Sequence, residues 1–242
     1  MTRRFKPAVA LLAVSLPLAG IAAARSDPGA GQAAKPVRLA DATMIVEVNA
    51  TDGDAGLQVF LDGEPWKSMR ISDPDGRRIL DVKTRGRVKR YGLTELFSES
   101  SEPPFERFPL SRFKQLFPAG RYRFAGTTIE GRRLVGAARL SHDIPDGPEI
   151  TSPAAGASIP RDGLLAAWKP VAERGGIDIT GYRAIVERED PLRVFSADLP
   201  ASVTAVTIPR EYLEPGTDYK LEVQAIEASG NQTLTEVEFS VR

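Results

Sequence analysis

Apolar and polar residues alternate along much of the second half of the chain. In Tyr219-Lys220-Leu221-Glu222-Val223-Gln224-Ala225 every second residue is apolar, and Val237-Glu238-Phe239-Ser240-Val241 repeats the pattern. Residues 179–188 place Tyr182, Ala184 and Val186 on one face and Arg183, Ile185 and Glu187 on the other. Two further short runs are apolar or β-branched: Leu164-Leu165-Ala166-Ala167-Trp168 and residues 203–208. A period of two over short runs, separated by Gly, Pro, Asn and Asp, predicts half-buried antiparallel strands. About seven such strands in roughly 100 residues fit a sandwich of two sheets.

The first half opens in the same way. Residues 44–49 and 57–61 read as strands, Asp62-Gly63-Glu64-Pro65 as a turn, and residues 66–71 as the returning arm of a hairpin. Asp73-Pro74-Asp75-Gly76 is a second turn, before a strand over 77–82. Residues 120–124 and 133–140 flank a Glu130-Gly131 turn. The middle differs. Residues 93–99 have a short helical look, and Leu110, Phe113, Leu116 and Phe117 form one apolar helix face ended by Pro118. The pattern predicts an all-β chain of two tandem antiparallel, immunoglobulin-like β-sandwiches. The first spans 37–146, with a helical insertion over about 93–117, and the second spans 147–242. Ile144-Pro145-Asp146-Gly147-Pro148, with two prolines and a glycine, is the expected boundary and a stiff link.

Residues 147–242 resemble fibronectin type III domains. Pro148-Glu149-Ile150-Thr151-Ser152-Pro153 is similar to that family's opening strand, and Trp168 stands in the place of its core tryptophan. Tyr182 is similar to its next core aromatic, and Leu213-Glu214-Pro215-Gly216-Thr217-Asp218-Tyr219 resembles its L-x-P-G-T-x-Y segment. Ala225 to Gly230-Asn231 resembles the end of the strand that follows. The resemblance implies that Tyr219 is a tyrosine corner, its ring buried and its hydroxyl bonded to upstream backbone. The adhesive Arg-Gly-Asp of some family members has no counterpart, because the corresponding loop reads Glu227-Ala228-Ser229-Gly230-Asn231-Gln232. Integrin-type adhesion is therefore not implied. The first sandwich resembles no named family, and the whole resembles secreted bacterial proteins with a C-terminal fibronectin type III domain.

Composition sets the compartment. Arg3, Arg4 and Lys6 precede a mostly apolar stretch over 8–21, and Ala22-Ala23-Ala24 supplies a small-residue cleavage pattern. Residues 1–24 thus read as a signal peptide and 25–36 as a flexible tether rich in Ala, Gly and Pro. The apolar stretch is short for a membrane span and Pro17 breaks it, so no transmembrane anchor is expected after cleavage. Export to the periplasm or the exterior follows; Thr2-Arg3-Arg4 leaves both the general secretory and the twin-arginine routes open. The chain has no Cys and one His, which excludes Cys-His nucleophile pairs and zinc sites built from Cys or several His. After residue 24 the halves differ in charge: 20 Lys/Arg against 17 Asp/Glu in 25–148, and 9 against 15 in 149–242. Neither excess suggests nucleic acid.

One cluster of oxygen ligands stands out. Glu47, Asn49, Asp52 and Asp54, with Thr51 among them, could converge on calcium, which takes six to eight oxygens. The same residues read more readily as an Asx-rich turn bonding its own backbone. Lys83-Thr84-Arg85-Gly86-Arg87-Val88-Lys89-Arg90 holds five cations in eight residues, suited either to a polyanion such as lipopolysaccharide or to a solvated strand edge. Trp66 is either a sugar-stacking platform or part of the core. Ser141-His142-Asp143 is no catalytic triad, because neighbouring strand residues face opposite sides. Asn49-Ala50-Thr51 and Asn231-Gln232-Thr233 match a glycosylation acceptor incidentally. These features favour a non-catalytic binding or spacer protein of the cell envelope, with an envelope protein or glycan as partner and no cofactor beyond possible calcium. The alternative is a carbohydrate-active or other hydrolase with two facing carboxylates in the first sandwich.

Overall fold

The computed structural model describes residues 35–162 and 164–242. The expected signal peptide and all of the tether up to residue 34 lie outside them. The first half contains β1 (Val37–Arg38), β2 (Asp41–Asn49), β3 (Asp54–Ser72), β4 (Arg78–Lys83), β5 (Leu93–Glu99), α1 (Leu110–Leu116), β6 (Gly120–Thr128) and β7 (Arg133–Leu140). The second half contains β8 (Ile150–Ser152), β9 (Ala157–Ile159), β10 (Leu164–Trp168), β11 (Ile179–Glu189), β12 (Leu192–Pro200), β13 (Ala205–Ile208), β14 (Thr217–Glu227) and β15 (Gln232–Val241).

The expected hairpin at 62–65 is not a hairpin. β3 runs through these residues for 19 residues and changes partners on the way. Its first part pairs with β2 and β5, and its second with β4 and β6, with register breaks between Asp62 and Trp66 and again just after Trp66. Pro65 cannot donate to a ladder, and Gly63 admits the close approach of Leu39, whose Cδ2 would lie 2.8 Å from an added Cβ. Gly and Pro here bend one strand between two layers instead of reversing it. Trp66 sits in the bend, fully buried, with Met44, Leu61, Tyr122 and Phe124 in the same core. It offers no sugar platform.

Residues 93–99 form strand β5 rather than the first piece of a helical insertion. Seven residues make only two helical turns, too few to hold alone, whereas β3 offers a full row of backbone partners from Gln58 to Asp62. The helical piece is α1 alone. Phe113 is buried, and Leu110 and Phe117 pack on the core, but Leu116 is 57% exposed because, at about 100° per residue, it lies about 120° round the helix from Leu110. The Asp73–Gly76 turn forms as expected: the Gly76 amide donates to the Asp73 carbonyl at 3.0 Å, and Gly76 has φ +84°.

The second half has its own core around Trp168, Tyr182, Tyr219, Leu221 and Phe239. The three-strand layer β13-β10-β8 faces the layer carrying β11, β12, β14 and β15. The Trp168 and Tyr182 rings lie 5.5 Å apart. The Tyr219 hydroxyl accepts the Glu214 amide at 2.8 Å and donates to the Tyr212 carbonyl at 3.4 Å, the upstream backbone bonding implied by the family resemblance.

A continuous sheet crosses the junction. The last three residues of β2 pair in parallel with the first three of β15: Glu47 with Gln232, Val48 with Thr233, and Asn49 with Leu234. Asn231, 1% exposed, fastens the same place. Its Oδ1 accepts the Val46 amide at 2.8 Å, and its Nδ2 donates to Ser141 Oγ at 2.8 Å and the Asp143 carbonyl at 2.9 Å. Thr233 Oγ1 donates to the Pro145 carbonyl at 2.6 Å. The linker is thus tied down on both sides.

Candidate functional site

The four residues expected around calcium have different surroundings. Asn49 Oδ1 accepts the amides of Thr51 and Asp52 at 2.9 and 3.0 Å, an Asx turn that caps its own backbone. Asp52 is exposed at the turn. Asp54 is half-buried; its Oδ1 lacks a hydrogen-bond partner among the described residues, and burial first, then Asp52 and Glu236, push its carboxyl up to about 6. Glu47 points elsewhere, into the junction.

There Glu47 joins two residues that sequence reading did not single out. One carboxylate oxygen from each of Glu47, Glu99 and Glu102 lies within 4.8 Å of the others. β2 supplies Glu47, β5 ends with Glu99, and the chain leaving β5 brings Glu102 over Gly56, where a Cβ would stand 2.6 Å from Glu102 Oε1. Glu47 Oε2 accepts the side-chain amides of Gln232 and, at 3.4 Å, Gln224, both from the second sandwich. Gln58 Nε2 donates to Glu99 at 2.9 Å. Some fifty residues separate Glu47 from its partners, so no local spacing marks the group; only the pairing of β2 and β5 on opposite sides of β3 assembles it.

The electrostatics follow from burial. Desolvation raises Glu47 to about 7, opposed mainly by the Gln232 bond. Desolvation and then repulsion from Glu99, Asp54 and Glu47 raise Glu102 to about 8. Such a group holds a proton near neutral pH, or a cation that replaces it. Its oxygens are closer than the roughly 5–5.5 Å of retaining and 6.5–9.5 Å of inverting glycosidase carboxylates. Alongside lies a second network, in which Lys220 Nζ contacts Glu187 at 3.0 Å, Glu222 at 2.6 Å and Glu236 at 3.5 Å.

Ser141, His142 and Asp143 follow the end of β7 rather than lying in a strand, and the Ser141 and His142 side chains bond different neighbours. Ser141 Oγ lies 2.7 Å from Ser229 Oγ, and His142 Nε2 lies 2.9 Å from the Phe117 carbonyl. Asn231 is buried, so its acceptor pattern has no glycan to carry. The basic run is not a strand edge: only Lys83 belongs to β4, and Gly86–Arg90 forms one exposed 3-10 turn.

Residues 154–240 match the family model of the fibronectin type III domain. The match is confined to the second sandwich. Among solved structures, a two-domain fibronectin type III segment of chicken tenascin is 11% identical, with a TM-score of 0.30 over 85% of this chain and 98% of that one. The FN1–FN3 domains of chicken CNTN1 are 12% identical, with a TM-score of 0.32 over 85% of this chain and 65% of that one. An engineered protein is 21% identical, with a TM-score of 0.29 over 43% of this chain and 21% of that one. No curated protein matches the chain.

Proposed function

We propose that the protein is an exported, non-catalytic binding or spacer module of the cell envelope. The observation that carries this reading is the locked junction. A fibronectin type III domain is joined to a second sandwich through β2–β15 pairing and through Asn231, which bonds Val46, Ser141 and Asp143 at once. Two sandwiches fixed in one sheet hold their outer surfaces at a set distance and angle, as a spacer or scaffold requires and a hinged enzyme does not. Export rests on the Arg3-Arg4 and Ala22-Ala23-Ala24 pattern. Among the described residues no helix is long and apolar enough to cross a membrane. Within this reading the Glu47, Glu99 and Glu102 group is a junction element that a proton or a calcium ion stabilises. Fractionation followed by crosslinking in intact cells tests the proposal. Recovery with envelope components supports it; a cytoplasmic pool, or hydrolysis of a glycan lost in Glu102→Gln, would replace it.

A further inference from the structure

The outer face of one sheet in the first sandwich is almost purely cationic. Strands β1, β7, β6, the second part of β3, and β4 lie side by side. Their inward residues, including Ile71, Tyr122, Phe124 and Leu134, fill the core. Alternation then sends Arg121 and Arg123 of β6, Arg133 and Arg139 of β7, and Arg38 of β1 to the other side, and all five are exposed. Arg121 stands directly opposite Arg139. None of the five has an ion-pair partner among the described residues. Arg70 and Lys83 extend the face across β3 and β4. Its one carboxylate, Asp81, lies 3.9 Å from Arg70 and 3.1 Å from Arg78.

Like charges directly opposed on neighbouring strands destabilise a sheet, and ordinary solvated faces mix signs. This half carries 17 acidic residues, yet a single one reaches the face. The charge is spread in two dimensions. Five strands at about 4.8 Å spacing span roughly 20 Å, and the seven residues from Arg133 to Arg139 span about as much along the strand. A linear polyanion covers a stripe; a plane of phosphates covers the whole. Between the arginines lie Ala125, Thr127, Val135 and Ala137, so the face offers no aromatic ring for stacking sugars or bases. Beyond Lys83 the chain continues into the 3-10 turn, where Val88 is 47% and Tyr91 79% exposed among Arg85, Arg87, Lys89 and Arg90. An apolar and aromatic tip ringed by cations suits the headgroup region of a bilayer, where Tyr and snorkelling Arg and Lys settle.

We propose that this arginine face docks the protein onto an anionic phospholipid bilayer, with the 83–91 loop at its margin. The inference stands on the sheet face alone and holds whichever compartment the chain occupies.

Sedimentation of the purified chain with vesicles tests it. Binding is expected to vesicles of phosphatidylglycerol in phosphatidylcholine, none to phosphatidylcholine alone, with release in 0.5 M salt. Arg121→Gln/Arg123→Gln/Arg139→Gln is expected to weaken binding on the order of 100-fold, while its melting temperature holds or rises because the opposed pair is gone. If that variant fails to fold, Arg38→Gln/Arg133→Gln replaces it, with a loss of roughly 20-fold. Equal binding to neutral vesicles, no binding to either kind, or unchanged binding by both variants would overturn the proposal. So would displacement from vesicles by a sulfated glycan at matched charge, which would assign the face to a polyanionic chain.

Discussion

Replacing Glu47 with Gln should stabilise the protein at pH 8 by about 2 kcal/mol more than at pH 5.5. Burial raises the Glu47 carboxyl from 4.5 to about 7 in the folded chain. The folded state therefore keeps a proton that the unfolded state releases at lower pH. With the folded value raised, the stabilisation is fullest below about pH 4.5 and drains away as pH climbs through 7. At 1.36 kcal/mol per pH unit the full span is worth about 3 kcal/mol, and the part falling between pH 5.5 and 8 about 2 kcal/mol. Gln cannot ionise, and its carbonyl can still accept the amides that Gln232 and Gln224 donate to Glu47. The substitution thus removes the titration while keeping the shape.

Thermal melts of wild type and Glu47→Gln across pH 5.5–8 read this directly. For a domain pair of this size, about 2 kcal/mol corresponds to roughly 4–8 °C. The wild type should lose that much more than the variant as pH rises. Parallel pH profiles would refute the reasoning, since they would mean that Glu47 titrates alike folded and unfolded. A variant less stable at pH 8 would show that the ionised carboxylate is needed where it stands.

Millimolar calcium should raise the wild-type melting temperature at pH 8 and do little at pH 5.5, where protons already occupy the carboxylates; Glu102→Gln should abolish the effect, and loss in Asp54→Ala alone would move the ion to the turn. Trp168→Ala should cost roughly 3–5 kcal/mol by urea denaturation, because the residue is 3% exposed and packs against Tyr182. Asn231→Ala strands the Val46 amide and empties the junction, for roughly 2–4 kcal/mol, and should split the melt into two transitions. A single sharp transition in that variant would show that β2–β15 pairing alone couples the halves.

The second sandwich was legible because its information is local. Strict alternation in 219–225 and 237–241, and the turn segment before Tyr219, each specify a strand or corner from neighbouring residues. Residues 62–65 misled because Gly and Pro mark a bend as readily as a reversal, and only the partners of β3 decide between them. Residues 93–99 misled because their short apolar spacing fits a helix, while the open edge of β3 imposed a strand. Leu116 misplaced itself for a simpler reason: six residues after Leu110, it falls about 120° away round the helix, outside the stripe that Leu110 and Phe113 turn inward.

The sites divide along the same line. The Asx turn at Asn49 is local chemistry and could be read from Asn-x-Thr-Asp. The carboxylate group needs Glu47 and Glu102 to meet over Gly56, which depends on a three-strand register spanning more than fifty residues. The arginine face is subtler still. Its residues sit in plain view, at the first two outward positions of β6 and at both ends of β7, but a sum of 20 cations against 17 acids hides them. A nearly neutral half can carry a strongly charged plane whenever strand alternation sorts the signs. Most acids here went to turns, to the junction and to strands away from this face, and the arginines to one side of one sheet. For a β-sandwich, charge is therefore informative when it is counted by face, and a count along the chain conceals the surface that a partner would meet.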